Sequence, residues 1–181
     1  MELHKFNNSW YKPGGLLKRA SWYILNRLFF DTSIPYPLLL KRFILRIFGA
    51  KIGKMVVIMP KVSIKYPWNI TIGNFSWIGE GVWLQSLGNI DIQENVCISQ
   101  GVKILTGNHN YKSQKFDLLI SDVVICRGAW VGAFSILCPG ITVGENTVLT
   151  VSSVVKSSLD PNMIYGGNPA IIIRKRFDNE D

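Results

Sequence analysis

From Ile52 onward an aliphatic side chain returns at every sixth position. The series is Ile52, Ile58, Ile64; Ile72, Ile78, Leu84; Ile92, Ile98, Ile104; Ile125, Val131, Leu137; Val143, Leu149, Val155. Glycine follows directly at Gly53, Gly73, Gly79, Gly132 and Gly144, and a small or β-branched residue often stands four on, as at Val56, Ser76, Val96, Ala129 and Thr147. Six is not a helical period. It is a multiple of the strand period of two, so every sixth side chain points the same way from a flat face. Three such faces close a triangular coil, and stacked coils bury the aliphatic ladder. The pattern predicts an all-β architecture: a parallel β-helix of about five coils across residues 52–160. Glycine after the aliphatic residue is expected to ease the corner, where other residues would strain.

The first three coils begin at 52, 72 and 92, and the last two at 125 and 143. The step from 92 to 125 is too long for one coil. The excess falls within residues 106–122, which predicts one extruded loop carrying His109. Upstream, residues 1–14 read as an extended arm ending in "YKPGG", and residues 16–30 and 37–48 as helices. On the second helix Leu39, Phe43 and Ile47 fall four apart with Leu40, Ile44 and Phe48 beside them. Lys41, Arg42 and Arg46 form a basic side. The chain thus divides into a helical region (1–51), the coils (52–160) and a C-terminal segment with a basic tail (161–181).

Composition narrows the class. With 181 residues and 48% hydrophobic content the chain suits one domain with a real core and not a disordered one. No apolar run of membrane-spanning length is free of charge, and no secretory signal pattern opens the chain. Three cysteines without metal-ligand spacing read as reduced thiols of a cytoplasmic protein. Two distant histidines disfavour a three-histidine metal site, so no metal is expected. Residues 1–54 hold ten Lys/Arg against two acids, whereas residues 55–181 hold ten of each. This basic segment suits an anionic membrane, a phosphate-bearing ligand, a subunit contact or plain solvation. No nucleic-acid partner is expected.

On residues alone, one histidine in a polar loop reads as ordinary surface, with catalysis the less favoured reading. Counting positions places Asn69, Asn89 and His109 each five past a coil's third aliphatic residue, in one corner column. Asn suits such corners for its backbone tolerance, and Asn89 is also a candidate to orient an acceptor or the imidazole.

The stretches "FGAKIGKMVVIMPKVSIKYPWNITIGNFSWIGEGVWL", "DIQENVCISQGVKILTGNHNY" and "GGNPAIIIRKR" resemble the hexapeptide-repeat acyltransferases, and among them the colanic-acid-type exopolysaccharide O-acetyltransferases. The resemblance alone implies left-handed coils, since ordinary parallel crossovers are right-handed. It also implies a homotrimer, acetyl-CoA in a groove between subunits, and a catalytic histidine on an extruded loop. The reaction implied is acetyl transfer to a saccharide hydroxyl, with a lipid-linked acceptor and a peripheral inner-membrane contact as open extensions.

Carried onto this chain, His109 becomes the general base. Asp117 or a backbone carbonyl is its orienting partner, and N–H groups near Gly128–Gly132 are oxyanion donors. Relatives often hold the acceptor with Asn at the position of Ser86, so Gln85 and Ser86 stand as candidates beside Asn89. Trp130 and Ala133 fall near the acetyl end of the coenzyme. Val151 and Ser152 match a usually small position along the pantetheine arm. Lys156 and Arg174, with Lys175 and Arg176, are candidates for coenzyme phosphates. An amino-sugar or xenobiotic acetyltransferase and a non-catalytic scaffold are the competing readings.

Overall fold

The computed structural model describes residues 1–177; the last four residues of the basic tail lie outside the described part. Coil one is β1 (Lys51–Ile52), β2 (Val57–Ile58) and β3 (Ser63–Ile64). Coil two is β4 (Ile70–Ile72), β5 (Trp77–Ile78) and β6 (Trp83–Gln85). Coil three is β7 (Ile90–Ile92), β8 (Cys97–Ile98) and β9 (Lys103–Leu105). A hairpin of β10 (Gly107–His109) and β11 (Leu118–Ile120) then leaves the coil. Coil four is β12 (Val123–Ile125), β13 (Trp130–Val131) and β14 (Ile136–Leu137), and coil five is β15 (Thr142–Val143), β16 (Val148–Leu149) and β17 (Val154–Val155). The antiparallel pair β18 (Met163–Gly166) and β19 (Ile171–Lys175) closes the chain.

Equivalent strands stack in parallel to form three faces. The first runs β1-β4-β7-β12-β15, the second β2-β5-β8-β13-β16 and on to β18 and β19, and the third β3-β6-β9-β14-β17. All fifteen ladder residues are buried, and from coil two onward each is at most 1% exposed. The small residues four positions on are buried too.

The corner glycines have a different cause from the one expected. Gly53, Gly73, Gly79, Gly132 and Gly144 are not in the left-handed region. The positive-φ corner residues come later, as at Met55, Phe75, Gly81 and Phe134. What glycine provides is space. A Cβ at Gly73 would lie 2.5 Å from the Glu94 backbone nitrogen, and one at Gly79 2.6 Å from that of Gln100. These glycines are where one coil rests directly on the next.

The N-terminal region caps the open end. In later coils the carbonyl of each ladder residue accepts from the coil before it, as Ile72, Ile78 and Leu84 do from Gly53, Met59 and Lys65. Coil one has no predecessor. Its three ladder carbonyls are met instead by side chains of α1 (Leu16–Leu25), which continues as a π-helical turn to Phe30, and of α2 (Leu38–Ile47). Arg46 Nη2 donates to Ile52 O at 2.7 Å, Lys41 Nζ to Ile58 O at 3.2 Å and Trp22 Nε1 to Ile64 O at 2.9 Å. Edge groups that would otherwise template strand pairing are thereby closed.

This capping turns α2 away from its expected orientation. Lys41, Ile44 and Leu45 face inward, while Leu39, Phe43 and Ile47 are exposed. Donors had to reach the carbonyls, so Lys41 is buried, while Arg46 stays exposed and reaches Ile52 O with its guanidinium. Four of the ten basic residues of 1–54 have partners within the chain: Lys41 and Arg46 bond the coil, Arg27 pairs with Asp31, and Lys5 with Glu2. No described helix is long and apolar enough to cross a membrane.

Lys41 is 1% exposed, and burial pushes its pKa down. Lys41→Met keeps the stem but strips donors from the Ile58 and Met59 carbonyls. It is expected to lower unfolding free energy by about 2 kcal/mol, read as an earlier midpoint in a urea titration.

Candidate active site

The chain leaves the third face after β9 at Thr106 and rejoins the first face at Asp122. Ser121 N–H donates to Thr106 O at 2.9 Å and closes the excursion. Between them β10 and β11 pair antiparallel, with His109 opposite Leu118. His109 is half-buried, and its ring stacks on Phe116 at 4.1 Å with 3° between planes. On another side Phe6 of the arm tilts against it at 5.6 Å. The arm also bonds the hairpin through Glu2 N–H to Gln114 O.

His109 Nδ1 lies 2.9 Å from Phe116 O. A carbonyl only accepts, so Nδ1 carries the proton and the neutral ring keeps its lone pair on Nε2. The orienting partner is therefore a backbone carbonyl. Asp117 is engaged elsewhere, accepting from Ser113 Oγ at 2.7 Å.

The three candidate acceptor residues occupy supporting positions. Gln85 Oε1 accepts from Thr106 N–H and Gly107 N–H at 3.2 and 3.1 Å, so it holds the outgoing root of the hairpin. Ser86 is fully buried and exchanges hydrogen bonds with the backbone N–H and O of Tyr66. Asn89 is exposed, and its backbone N–H and Nδ2 donate to the Asp122 carboxylate at 2.7 and 2.9 Å, fixing the returning root.

The expected corner column is also revised. Ile90 is in register with both Ile70 and Val123. The residues preceding them, Asn69, Asn89 and Asp122, share the corner. His109 has left it, because the coil count stops where the hairpin departs. Asp122 was missed for that reason, and nothing in the sequence pointed to Phe6.

The coenzyme candidates converge in part. A groove of about 440 Å³ on the second face is lined by Ser99, Trp130, Ala133 and Val151 among others. Trp130 Nε1 donates to Ser99 Oγ at 2.9 Å, which fixes the indole while leaving it half-exposed. Ser152 flanks the groove at φ 57, its N–H bonded to Ala133 O. Lys156 is exposed beyond β17 on the third face, outside this lining. Arg174 is exposed on β19, at the far edge of the sheet that carries Trp130. Lys175 is exposed beside it, whereas Arg176 bonds Gly128 O and Asn146 O.

Around the groove, the N–H groups of Gly128, Ala129, Trp130 and Gly132 all donate to backbone carbonyls. The Ala133 N–H makes no such bond among the described residues. Trp77, in register with Cys97 and through it with Trp130, adds a second exposed indole to the same face. Burial raises the pKa of Cys97, Cys126 and Cys138, which makes them poor nucleophiles. No group of three His, Cys, Asp or Glu among the described residues could hold a metal.

The hairpin and the groove do not meet within one chain. The hairpin springs from the corner between the third and first faces, and the groove lies on the second. In a three-sided coil that corner is opposite that face.

No protein-family model matches the chain. Curated relatives do. The chain is 38% identical over 170 residues to the putative colanic acid biosynthesis acetyltransferase WcaF of Escherichia coli K12, covering 94% of this chain and 93% of the relative. It is 25% identical to the galactoside O-acetyltransferase of the same organism, covering 83% and 76%. Among solved structures, a maltose O-acetyltransferase from Clostridium difficile 630 superposes with TM-score 0.82 at 27% identity, covering 90% and 88%. A galactoside acetyltransferase in complex with coenzyme A gives 0.78 at 23%, covering 91% and 83%. A stacked six-residue ladder and a match along nearly its whole length place this chain in the colanic acid biosynthesis acetyltransferase family, among the left-handed β-helix enzymes of the hexapeptide-repeat class.

Proposed function

We propose that this enzyme transfers an acetyl group from acetyl-CoA directly to a saccharide hydroxyl, with His109 as general base. The observation that carries this reading is the hydrogen bond from His109 Nδ1 to Phe116 O, which leaves Nε2 as the basic atom. As the acceptor oxygen attacks the thioester carbonyl, its proton passes to Nε2. The tetrahedral oxyanion then collapses, the carbon–sulfur bond breaks, and Nε2–H returns the proton to the departing thiolate. The unengaged Ala133 N–H is the donor best placed on the groove to meet the oxyanion.

The coenzyme assignment rests on the groove and on relatives whose structures hold acetyl coenzyme A or coenzyme A. Trp130, Ala133, Val151 and Ser152 would line the acyl and pantetheine end, and Arg174 and Lys175 remain available for phosphate.

The opposition of corner and face supports a site completed by a second copy. A corner of one chain meeting a face of the next is a heterologous contact, and such contacts close into rings when the rotation permits. A homotrimer with His109 of one subunit over the groove of its neighbour satisfies both halves. It would also cover the exposed Trp77, Trp130, Phe134 and Val151.

The decisive assay follows thiol release from acetyl-CoA with neutral saccharides, amino sugars and no acceptor, with mass spectrometry of the product. O-acetylated saccharide is expected. Products acetylated only on nitrogen, or no acceptor-dependent thiol release from a panel that includes exopolysaccharide repeat units, would refute the reading.

A further inference from the structure

A second cavity, of about 330 Å³, lies between α1 and coils one and two, away from the groove on the second face. Three cations line it, Arg19, Arg27 and Lys65, together with the aromatic faces of Tyr23, Tyr66 and Trp83. No carboxylate belongs to the lining. Arg27 already pairs with Asp31. Arg19 and Lys65 form no ion pair among the described residues. Arg19 Nε is buried and has no hydrogen-bond partner there. A buried guanidinium N–H without an acceptor is a standing cost that an anionic oxygen removes.

Position ties the cavity to the chemistry. Trp83, in its wall, and Gln85 project from the same side of β6, two residues or roughly 7 Å apart. Gln85 is the residue that holds the root of the His109 hairpin. A ligand seated against Trp83 therefore lies within a few sugar-ring lengths of the loop that carries the base.

We propose that this cavity binds the diphosphate of a diphosphate-linked saccharide acceptor. The phosphate oxygens sit on Arg19 and Lys65, and the adjoining ring lies against Tyr66 and Trp83. The proposal rests on the saccharide acetyltransferase reading for the acceptor's identity, but not for the binding of the anion. Diphosphate occurs on both nucleotide-linked and lipid-linked sugars, and the test separates the two sources.

The full chain, with no acetyl-CoA present, is titrated with UDP and with phosphatidylcholine vesicles containing farnesyl diphosphate. Binding is followed by calorimetry and by tryptophan fluorescence, since Trp22 and Trp83 both line the cavity. Saturable binding of at least one probe is expected, weakening steeply with salt. Arg19→Gln and Lys65→Gln should each weaken it about tenfold, Arg19→Lys should recover part of the loss, and Lys51→Gln on the first face should bind as wild type. UDP binding alone supports a nucleotide-linked acceptor, and vesicle binding alone a lipid-linked one. Saturable binding of neither probe overturns the proposal. So does binding unchanged by Lys65→Gln, an exposed substitution that leaves the core intact. Displacement of the probe by acetyl-CoA would also overturn it, because the cavity would then belong to the coenzyme. Thiol release from acetyl-CoA is measured separately, so failure here leaves the acetyl-transfer reading standing.

Discussion

Replacing His109 by Ala is expected to slow acetyl transfer about 10²- to 10⁴-fold with little change in thermal midpoint. The magnitude follows from the proposed role of the imidazole as general base. A sugar hydroxyl is barely ionised near neutral pH, and its proton must leave as the carbon–oxygen bond forms. Only Nε2 is free to take it, because Nδ1 is committed to Phe116 O. The small stability effect follows from location. His109 stands on a hairpin outside the ladder, and what it loses is a stack on Phe116 and a tilt against Phe6. The check is a paired measurement of coenzyme A release and circular-dichroism melting. Equal release by variant and wild type with the true acceptor would remove His109 from the chemistry.

The second large effect is a rescue. His109→Ala and Ala133→Phe should each be nearly inactive alone, the first lacking the base and the second having a filled groove. Under the proposed trimer, the two variants unfolded together and refolded as mixed assemblies should recover about a quarter of wild-type activity. Each site would draw its histidine from one subunit and its groove from the next. Random mixing gives an intact pairing in one site of four. A same-chain site has no intact pairing in any mixture. Absence of rescue in trimers shown by mass tags to be mixed would place base and groove in one subunit, against the opposition of hairpin and second face.

Much of this was legible in the sequence because the coil is a periodic object. Each ladder residue reports the same fact, so the fifteen positions from Ile52 to Val155 reinforce one another, and each is buried. Legibility stopped where periodicity did. Past Thr106, counting by coils put His109 in a corner that Asp122 occupies, since a hairpin has its own register. The acceptor candidates Gln85, Ser86 and Asn89 are each engaged with backbone or with Asp122, which a single sequence does not show. In α2 the sequence offered two apolar stripes, and amphipathicity alone does not say which one is covered. The unpaired carbonyls of coil one decided it by drawing Lys41 into the core and the Arg46 guanidinium onto Ile52 O. The glycine positions were read correctly but for another cause, since backbone-to-backbone contact between coils leaves no trace in a single repeat.

The cap has one further consequence. Arg46, Lys41 and Trp22 each bind a main-chain carbonyl at a ladder position, a group that every coil offers in the same place whatever its side chains. These three bonds therefore follow the period and not the side chains beneath them, while Lys18 over the Trp68 ring is particular to this coil. Coils gained or lost between the cap and the hairpin, in whole multiples of three strands, would leave these three bonds intact, whereas the arm's contacts of Glu2 with Gln114 and of Phe6 with His109 would have to re-form. Such a change would lengthen or shorten the distance from the cap to His109 in steps of roughly 4.8 Å. The spacing between cap and hairpin thus becomes a quantity that descent can adjust by duplication, with the arm refitted to the new length.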